Sequence, residues 1–188
     1  MRVLGISGSL RRDSHNTELL RAAATLLPSG VEFEIYDGLQ DIPPFDEDHE
    51  GRAPQSVHRL REEIGAADAV LFATPEYNHS IPGHLKNALD WVSRPYATNT
   101  LRNKPVAVMG ASTGMFGAVW AQAELRKVLA AIGARVVDRE IPVPTADEIV
   151  RDPDKLESSG THTLVVGLLA ELIGLVRERD EASAKAAA

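Results

Sequence analysis

The stretch Gly8-Ser9-Leu10-Arg11-Arg12-Asp13-Ser14-His15-Asn16-Thr17 concentrates groups that hold an anion. Gly8 allows a sharp backbone turn. Ser9, Ser14, Asn16 and Thr17 offer hydroxyl and amide donors. A helix starting beside them would add free backbone N–H groups and a positive dipole end. Arg11 adds a planar fork suited to phosphate oxygens. One hydrogen bond to a charged group contributes about 1.5–3 kcal/mol net, so a few together fix a monophosphate. A second reading stays open: Ser14 or Asn16 only caps the helix, and the arginines are solvated.

Two further loops share this character. One runs Thr74-Pro75-Glu76-Tyr77-Asn78-His79-Ser80-Ile81-Pro82-Gly83, the other Gly110-Ala111-Ser112-Thr113-Gly114-Met115-Phe116-Gly117. They carry too little charge for a second phosphate. Backbone amides, small side chains and the aromatic Tyr77 suit a flat heterocycle with a polar rim. Other phosphate schemes are excluded. There is no G-x-x-x-x-G-K-[ST], and Gly5 and Gly8 do not make G-x-G-x-x-G. A receiver domain needs acids where this chain has Ser7-Gly8-Ser9, and a low-molecular-weight phosphatase needs a cysteine that this chain lacks.

Each loop follows a strand-length apolar run. The runs cover residues 3–6, 31–35, 69–73, 106–109 and 136–143, and they alternate with helical patterns over 17–27, 55–67, 85–92, 118–132 and 163–179. Such alternation implies crossover connections and a parallel sheet covered on both sides. The expectation is a flavodoxin-like three-layer α/β sandwich with a five-stranded parallel sheet in the order 2-1-3-4-5. Ligands of such sheets bind beyond the carboxyl ends of the strands, where the three loops fall. A monophosphate at the first loop and a flat ring beside the other two describe FMN. The long irregular segment 37–54 is of the kind that is functional or disordered.

The 188 residues are read as one domain over 1–181 with a low-complexity tail, 182–188, that is a frayed helix end or mobile. A net charge of −7 and only 5% aromatic residues argue against nucleic acid as partner. With no cysteine there are no disulfides, thiolate nucleophiles or Cys-ligated metals. The short apolar N-terminus is no signal peptide, and 164–176 is too short and too interrupted to span a membrane. A cytoplasmic location is expected.

At these loops the chain resembles the NAD(P)H-dependent FMN reductase family of quinone, azo and chromate reductases. The marks are Gly8-Ser9-Leu10-Arg11 with Ser14 and Asn16, Pro75-Glu76-Tyr77-Asn78, Ile81-Pro82-Gly83, Leu85-Lys86-Asn87-Ala88 and Asp90-Trp91. The resemblance implies that Ser9, Arg11, Ser14 and Asn16, with His15 as an addition, surround the FMN phosphate. It implies that Pro75, Glu76, Tyr77 and Asn78 run along the isoalloxazine, bordered by Ser112 and Gly114. NADPH or NADH would pass hydride to the flavin, and a quinone, free flavin or azo compound would take it, with no side chain acting as acid or base. It also implies a homodimer or homotetramer, with the 37–54 segment and the helix from His84 as contact candidates.

Rival readings are a flavodoxin-type electron carrier and an FMN-based redox-sensing interaction protein. Arg11 and the scarcity of ring-clasping aromatics (only Tyr77 and Phe116) favour the enzyme. The six histidines have no helical metal spacing, and the acidic run Asp46–Glu50 reads as a solvated loop, so no metal site is assigned. Trp91 and Trp120 read as packing or interface residues, and Asp37 as a turn residue.

Overall fold

The computed structural model describes residues 1–187. Its strands are β1 (Arg2–Ser7), β2 (Glu32–Ile35), β3 (Ala69–Ala73), β4 (Pro105–Ala111), β5 (Arg135–Val136) and β6 (Pro142–Val143). The helices are α1 (His15–Thr25), α2 (Gln55–Ala66), α3 (Gly83–Val92), α4 (Val119–Ile132), α5 (Ala146–Ile149), α6 (Pro153–Ser158) and α7 (Thr161–Ala187).

Side chains of a strand alternate between faces, and that alternation builds two cores from three strands. Leu4, Ile6, Val70, Phe72, Val106 and Val108 point to one face, where Leu60, Ile64, Leu85, Leu89 and Leu125 of α2, α3 and α4 meet them. Val3, Leu71, Ala107 and Met109 point to the other, against Leu19, Leu20, Leu168 and Leu172 of α1 and α7. The sheet is parallel throughout, in the expected order 2-1-3-4-5. β1, β3 and β4 are buried on both faces, whereas the edge strand β2 alternates exposed glutamates with half-buried Phe33 and Ile35.

The continuous strand expected over 136–143 is broken in two. β5 pairs with the start of β4 and β6 with its end. Between them the buried Gln122 of α4 takes over the backbone of Ile141: its Oε1 accepts from Ile141 N at 3.0 Å and its Nε2 donates to Ile141 O at 3.1 Å. Ile141 O also accepts from Gly110 N at 3.2 Å, so the side-chain amide replaces the ladder only on the N–H side of Ile141.

Two other boundaries moved. α1 begins at His15 rather than 17, because Ser14 is its N-cap and accepts from Thr17 N at 3.3 Å. α7 continues through 182–187, the stretch read as a frayed end or tail. Alanine and lysine there are strong helix formers, and the Ser183 hydroxyl donates to Arg179 O. Residue 188 lies outside the described residues.

The segment 37–54, irregular by its sequence, holds two short 3-10 helices, Leu39–Asp41 and Glu47–Arg52, and is strapped onto α3. Asn87 and Trp91, one helical turn apart, both donate to Pro43 O, and Asn87 Oδ1 accepts from Phe45 N at 2.7 Å. Phe45 meets Trp91 edge-on at 5.0 Å. Trp91 is therefore a buried packing residue.

Candidate functional site

The register places the carboxyl ends of β1, β3 and β4 side by side: Ser7 lies opposite Ala73, and Ala73 opposite Met109. The loops leaving those ends must therefore meet. Gly8 sits at their junction. A Cβ there would lie 2.9 Å from Leu85 Cδ2 of α3, which would have to shift, and in ordinary contact at 3.4 Å with Pro75 Cδ of the second loop.

The first loop is folded by its own polar groups. Ser7 Oγ accepts from the Thr17 hydroxyl at 2.9 Å and from Ser9 N at 3.4 Å. Ser9 Oγ accepts from Arg11 N at 3.3 Å, and the Arg11 guanidinium donates to Asp13 O at 2.8 Å. The first intrahelical bond of α1 runs from Glu18 N to Ser14 O. The N–H groups of His15 and Asn16 precede it and stay open to an acceptor, at the positive end of the helix.

The second loop is a tight hairpin. Tyr77 and Ser80 exchange backbone hydrogen bonds of 3.0 and 3.1 Å, and Asn78 and His79 between them both have positive φ, 54° and 61°. Left-handed pairs of this kind form the two-residue turn in which asparagine is favoured at the first position. Asn78 in Pro-Glu-Tyr-Asn is thereby explained by backbone shape. The hairpin is anchored to α4 from both sides: Glu76 Oε2 accepts from Trp120 N and Ala121 N, each 3.1 Å, and the Ser80 hydroxyl donates to Glu124 at 2.5 Å. Ala118, at the N-cap of α4, offers no side-chain cap, so a carboxylate from another segment serves the helix end.

A pocket of about 140 Å³ opens among the three loops. Ser9, Arg11, Ser14, His15 and Asn16 line it from the first, Pro75, Glu76 and Tyr77 from the second, and Ala111, Ser112 and Thr113 from the third. Nine of these eleven were expected; Ala111 and Thr113 were not, because an alanine and a threonine in a glycine-rich loop carry no signal of their own.

Three expected residues do not line this pocket. Thr17 faces a neighbouring cleft. Asn78 sits in the hairpin turn. Gly114 does not line the pocket, and its N–H donates to Ser112 Oγ at 3.1 Å. Asn16 lines the pocket, yet its amide is already used: it donates to Ala111 O and accepts from Ala111 N, both at 2.9 Å. Its free contribution to an anion is its backbone N–H.

The pocket fits the phosphate end of a flavin mononucleotide. It combines the Arg11 fork, the Ser9 hydroxyl and the start of α1 with a buried His15 Nδ1 that has no hydrogen-bond partner among the described residues. Beyond it the surface is apolar and open. Tyr77 is 51% exposed, Phe116 57% and Met115 79%. Trp120 is exposed too, with Phe116 at 5.0 Å and His79 at 4.7 Å, both edge-on. Such a rim suits a broad aromatic ring. Asp46 of the acidic segment accepts from Asp48 N and meets His49 Nδ1 at 2.8 Å, which holds its carboxyl below the usual range. Among the described residues no group of three or more His, Cys, Asp or Glu side chains is placed to hold a metal.

The profile of the NADPH-dependent FMN reductases matches residues 1–148. An NAD(P)H-dependent FMN reductase of Pseudomonas aeruginosa is 50% identical over 130 residues, 69% of either chain. A 2-hydroxy-1,4-benzoquinone reductase of a Burkholderia species is 42% identical over 130 residues, 69% of this chain and 70% of the other. Among solved structures, the flavoenzyme NAD(P)H:acceptor oxidoreductase FerB of Paracoccus denitrificans superposes with a TM-score of 0.80 at 35% identity, covering 94% of this chain and 97% of its own. With its flavodoxin-like sheet and its three converging loops, the chain belongs to the NADPH-dependent FMN reductase family.

Proposed function

We propose that the chain carries reducing equivalents from NADPH or NADH, through FMN held at the three loops, to a small-molecule acceptor such as a quinone, free flavin or azo compound. The observation that carries this reading is the meeting of an anion-binding loop and an exposed aromatic rim at adjacent strand ends. Bound FMN supplies the hydride-accepting and hydride-donating chemistry.

The side chains bind and orient. Ser9, Arg11, Ser14 and the N–H groups of His15 and Asn16 hold the phosphate. Pro75, Glu76 and Tyr77 present backbone and ring to the isoalloxazine, and Ser112 and Thr113 close the pocket from the third loop. The Glu76 carboxylate is committed to two N–H groups of α4, so water supplies the product's proton. The open rim leaves one flavin face accessible to donor and acceptor in turn, which predicts ping-pong kinetics.

No helix among the described residues is long and apolar enough to cross a membrane. A homodimer or homotetramer working in the cytoplasm completes the reading.

Anaerobic mixing with NADPH tests the reading. Bound flavin should bleach without any partner reductase; no bleaching would make the chain an electron carrier instead. Arg11→Ala should weaken FMN about tenfold, the loss of one charge-assisted hydrogen bond, and leave riboflavin nearly unaffected. Equal weakening of both would remove Arg11 from the phosphate.

A further inference from the structure

We propose that a second cleft, beside the flavin pocket, takes the 2′-phosphate end of NADPH, with Arg12 and Arg21 gripping the phosphate. This rests on the reductase reading and adds the donor's adenosine subsite to it.

The cleft has a volume of about 390 Å³ and lies between the first loop, α1 and the end of β2. Ser9 and Arg11 line both it and the flavin pocket, so the two adjoin, and Leu10 and Arg11 also line a third cleft with Tyr77, which leads from it toward the ring end. Three guanidinium groups line it, those of Arg11, Arg12 and Arg21. In a chain with 27 acids against 20 lysines and arginines, that clustering is unlike the surface average.

The positive charge is only partly compensated. Among the described residues Arg11 and Arg12 make no ion pair, and Arg21 shares one, with Glu18 at 2.5 Å. The carboxylate in the lining, Asp37, is held by Arg59 at 2.5 Å. Arg21 follows Thr17 by one helical turn, which puts both on the same side of α1, and both line the cleft.

The rest of the lining is mixed: Ser7, Thr17, Tyr36, Asp37 and Gln40 supply polar groups beside apolar ones. Exposed Leu10 and half-buried Ile35 offer apolar contact for a purine. Arginine forks grip a phosphate dianion in two-point fashion, which selects a terminal phosphate monoester over a ribose hydroxyl. NADPH and NADH differ by that group. A second molecule with a terminal phosphate monoester is free FMN as acceptor, so the test must separate the two.

The experiment titrates FMN-loaded protein by calorimetry with adenosine 2′,5′-bisphosphate and with adenosine 5′-monophosphate. The bisphosphate should bind at least tenfold more tightly. Arg12→Ala and Arg21→Ala should each weaken it about five- to tenfold, the loss of a charge-assisted contact at an exposed site. Monophosphate binding, FMN content and NADH-driven bleaching should stay at wild-type values, and KM should rise for NADPH alone. Arg12→Lys should recover only part of the loss, because it keeps the charge without the fork.

Equal binding of the two adenosine nucleotides would overturn the proposal, as would variants that leave the bisphosphate unmoved. So would a KM that rises for free FMN but not riboflavin as acceptor, with NADPH unchanged; the cleft would then serve the acceptor. A wild-type protein that takes up no FMN would defeat the reductase reading instead, and bisphosphate binding to that protein would still report on the cleft.

Discussion

The side-chain amide of Asn16, at the start of α1, exchanges two hydrogen bonds of 2.9 Å with the backbone of Ala111, at the end of β4 and 95 residues away. An amide is the one side chain that donates and accepts in this geometry. The bond pair fixes the first loop against the third, and so sets the width of the pocket between them.

Asn16→Ala leaves the buried N–H and C=O of Ala111 without partners. Each orphaned group costs about 1–3 kcal/mol, so the variant should lose about 3 kcal/mol of stability. The urea midpoint reads the loss, and FMN affinity should fall with it because the loops part. An unchanged midpoint would mean that water replaces the amide at no cost.

Glu76 should act first on α4. Glu76→Ala removes the acceptor for two N–H groups and should cost about 1–2 kcal/mol, as a lost N-cap does. Glu76→Gln keeps an oxygen acceptor and loses only the charge–dipole part, about 0.3–1 kcal/mol. Thermal melts of the pair give the order. A Gln variant as unstable as the Ala variant would show that charge, and not the hydrogen bonds, carries the contact.

The hairpin at Asn78 makes a prediction about backbone shape. Asn78→Ala puts a residue without a local polar group into the left-handed region at a cost of about 1–2 kcal/mol. Asn78→Gly should be close to neutral, because glycine reaches that region freely. Hydrogen exchange of the Tyr77 and Ser80 amides reads hairpin opening directly. Loss of flavin affinity in the Gly variant with the hairpin intact would instead give the Asn78 side chain a contact with the cofactor.

Lys104 supplies a pH dependence. Its ammonium is buried at the end of α2, donating to Gly65 O at 3.2 Å and to Ala67 O. Burial, helped by the nearby Arg179 charge, pushes its pKa below 10.5. A depressed pKa means that the unfolded chain binds more protons than the folded one between that lowered value and 10.5. The stability of wild type relative to Lys104→Met should therefore increase as pH rises through that window, and decline again as pH falls. A difference that stays flat in urea titrations up to pH 10.5 would refute the shift. Comparing the two proteins cancels the opposing contribution of Tyr36, whose phenol is pushed up by burial.

Much of this architecture is written locally. Continuous apolar runs, alternating between faces as strands do, sort Leu4, Ile6, Val70 and Phe72 to one face and Val3, Leu71 and Met109 to the other, and the intervening helices force parallel crossovers. The glycine and hydroxyl content of 8–17 marks an anion loop before any contact is known. These features depend on neighbours within a few residues, which is the range over which sequence periodicity speaks.

Pairing across the chain is a different matter. That Asn16 spends its side chain on Ala111, that Glu76 caps a helix 44 residues away, that Asn87 and Trp91 strap down Pro43, and that Gln122 breaks the fifth strand all follow from which strand ends stand side by side. An amide or carboxylate has the same local signature whether it faces a ligand, a backbone or water. Only the assembled sheet, by burying unpaired N–H and C=O groups beside it, decides which partner it must take.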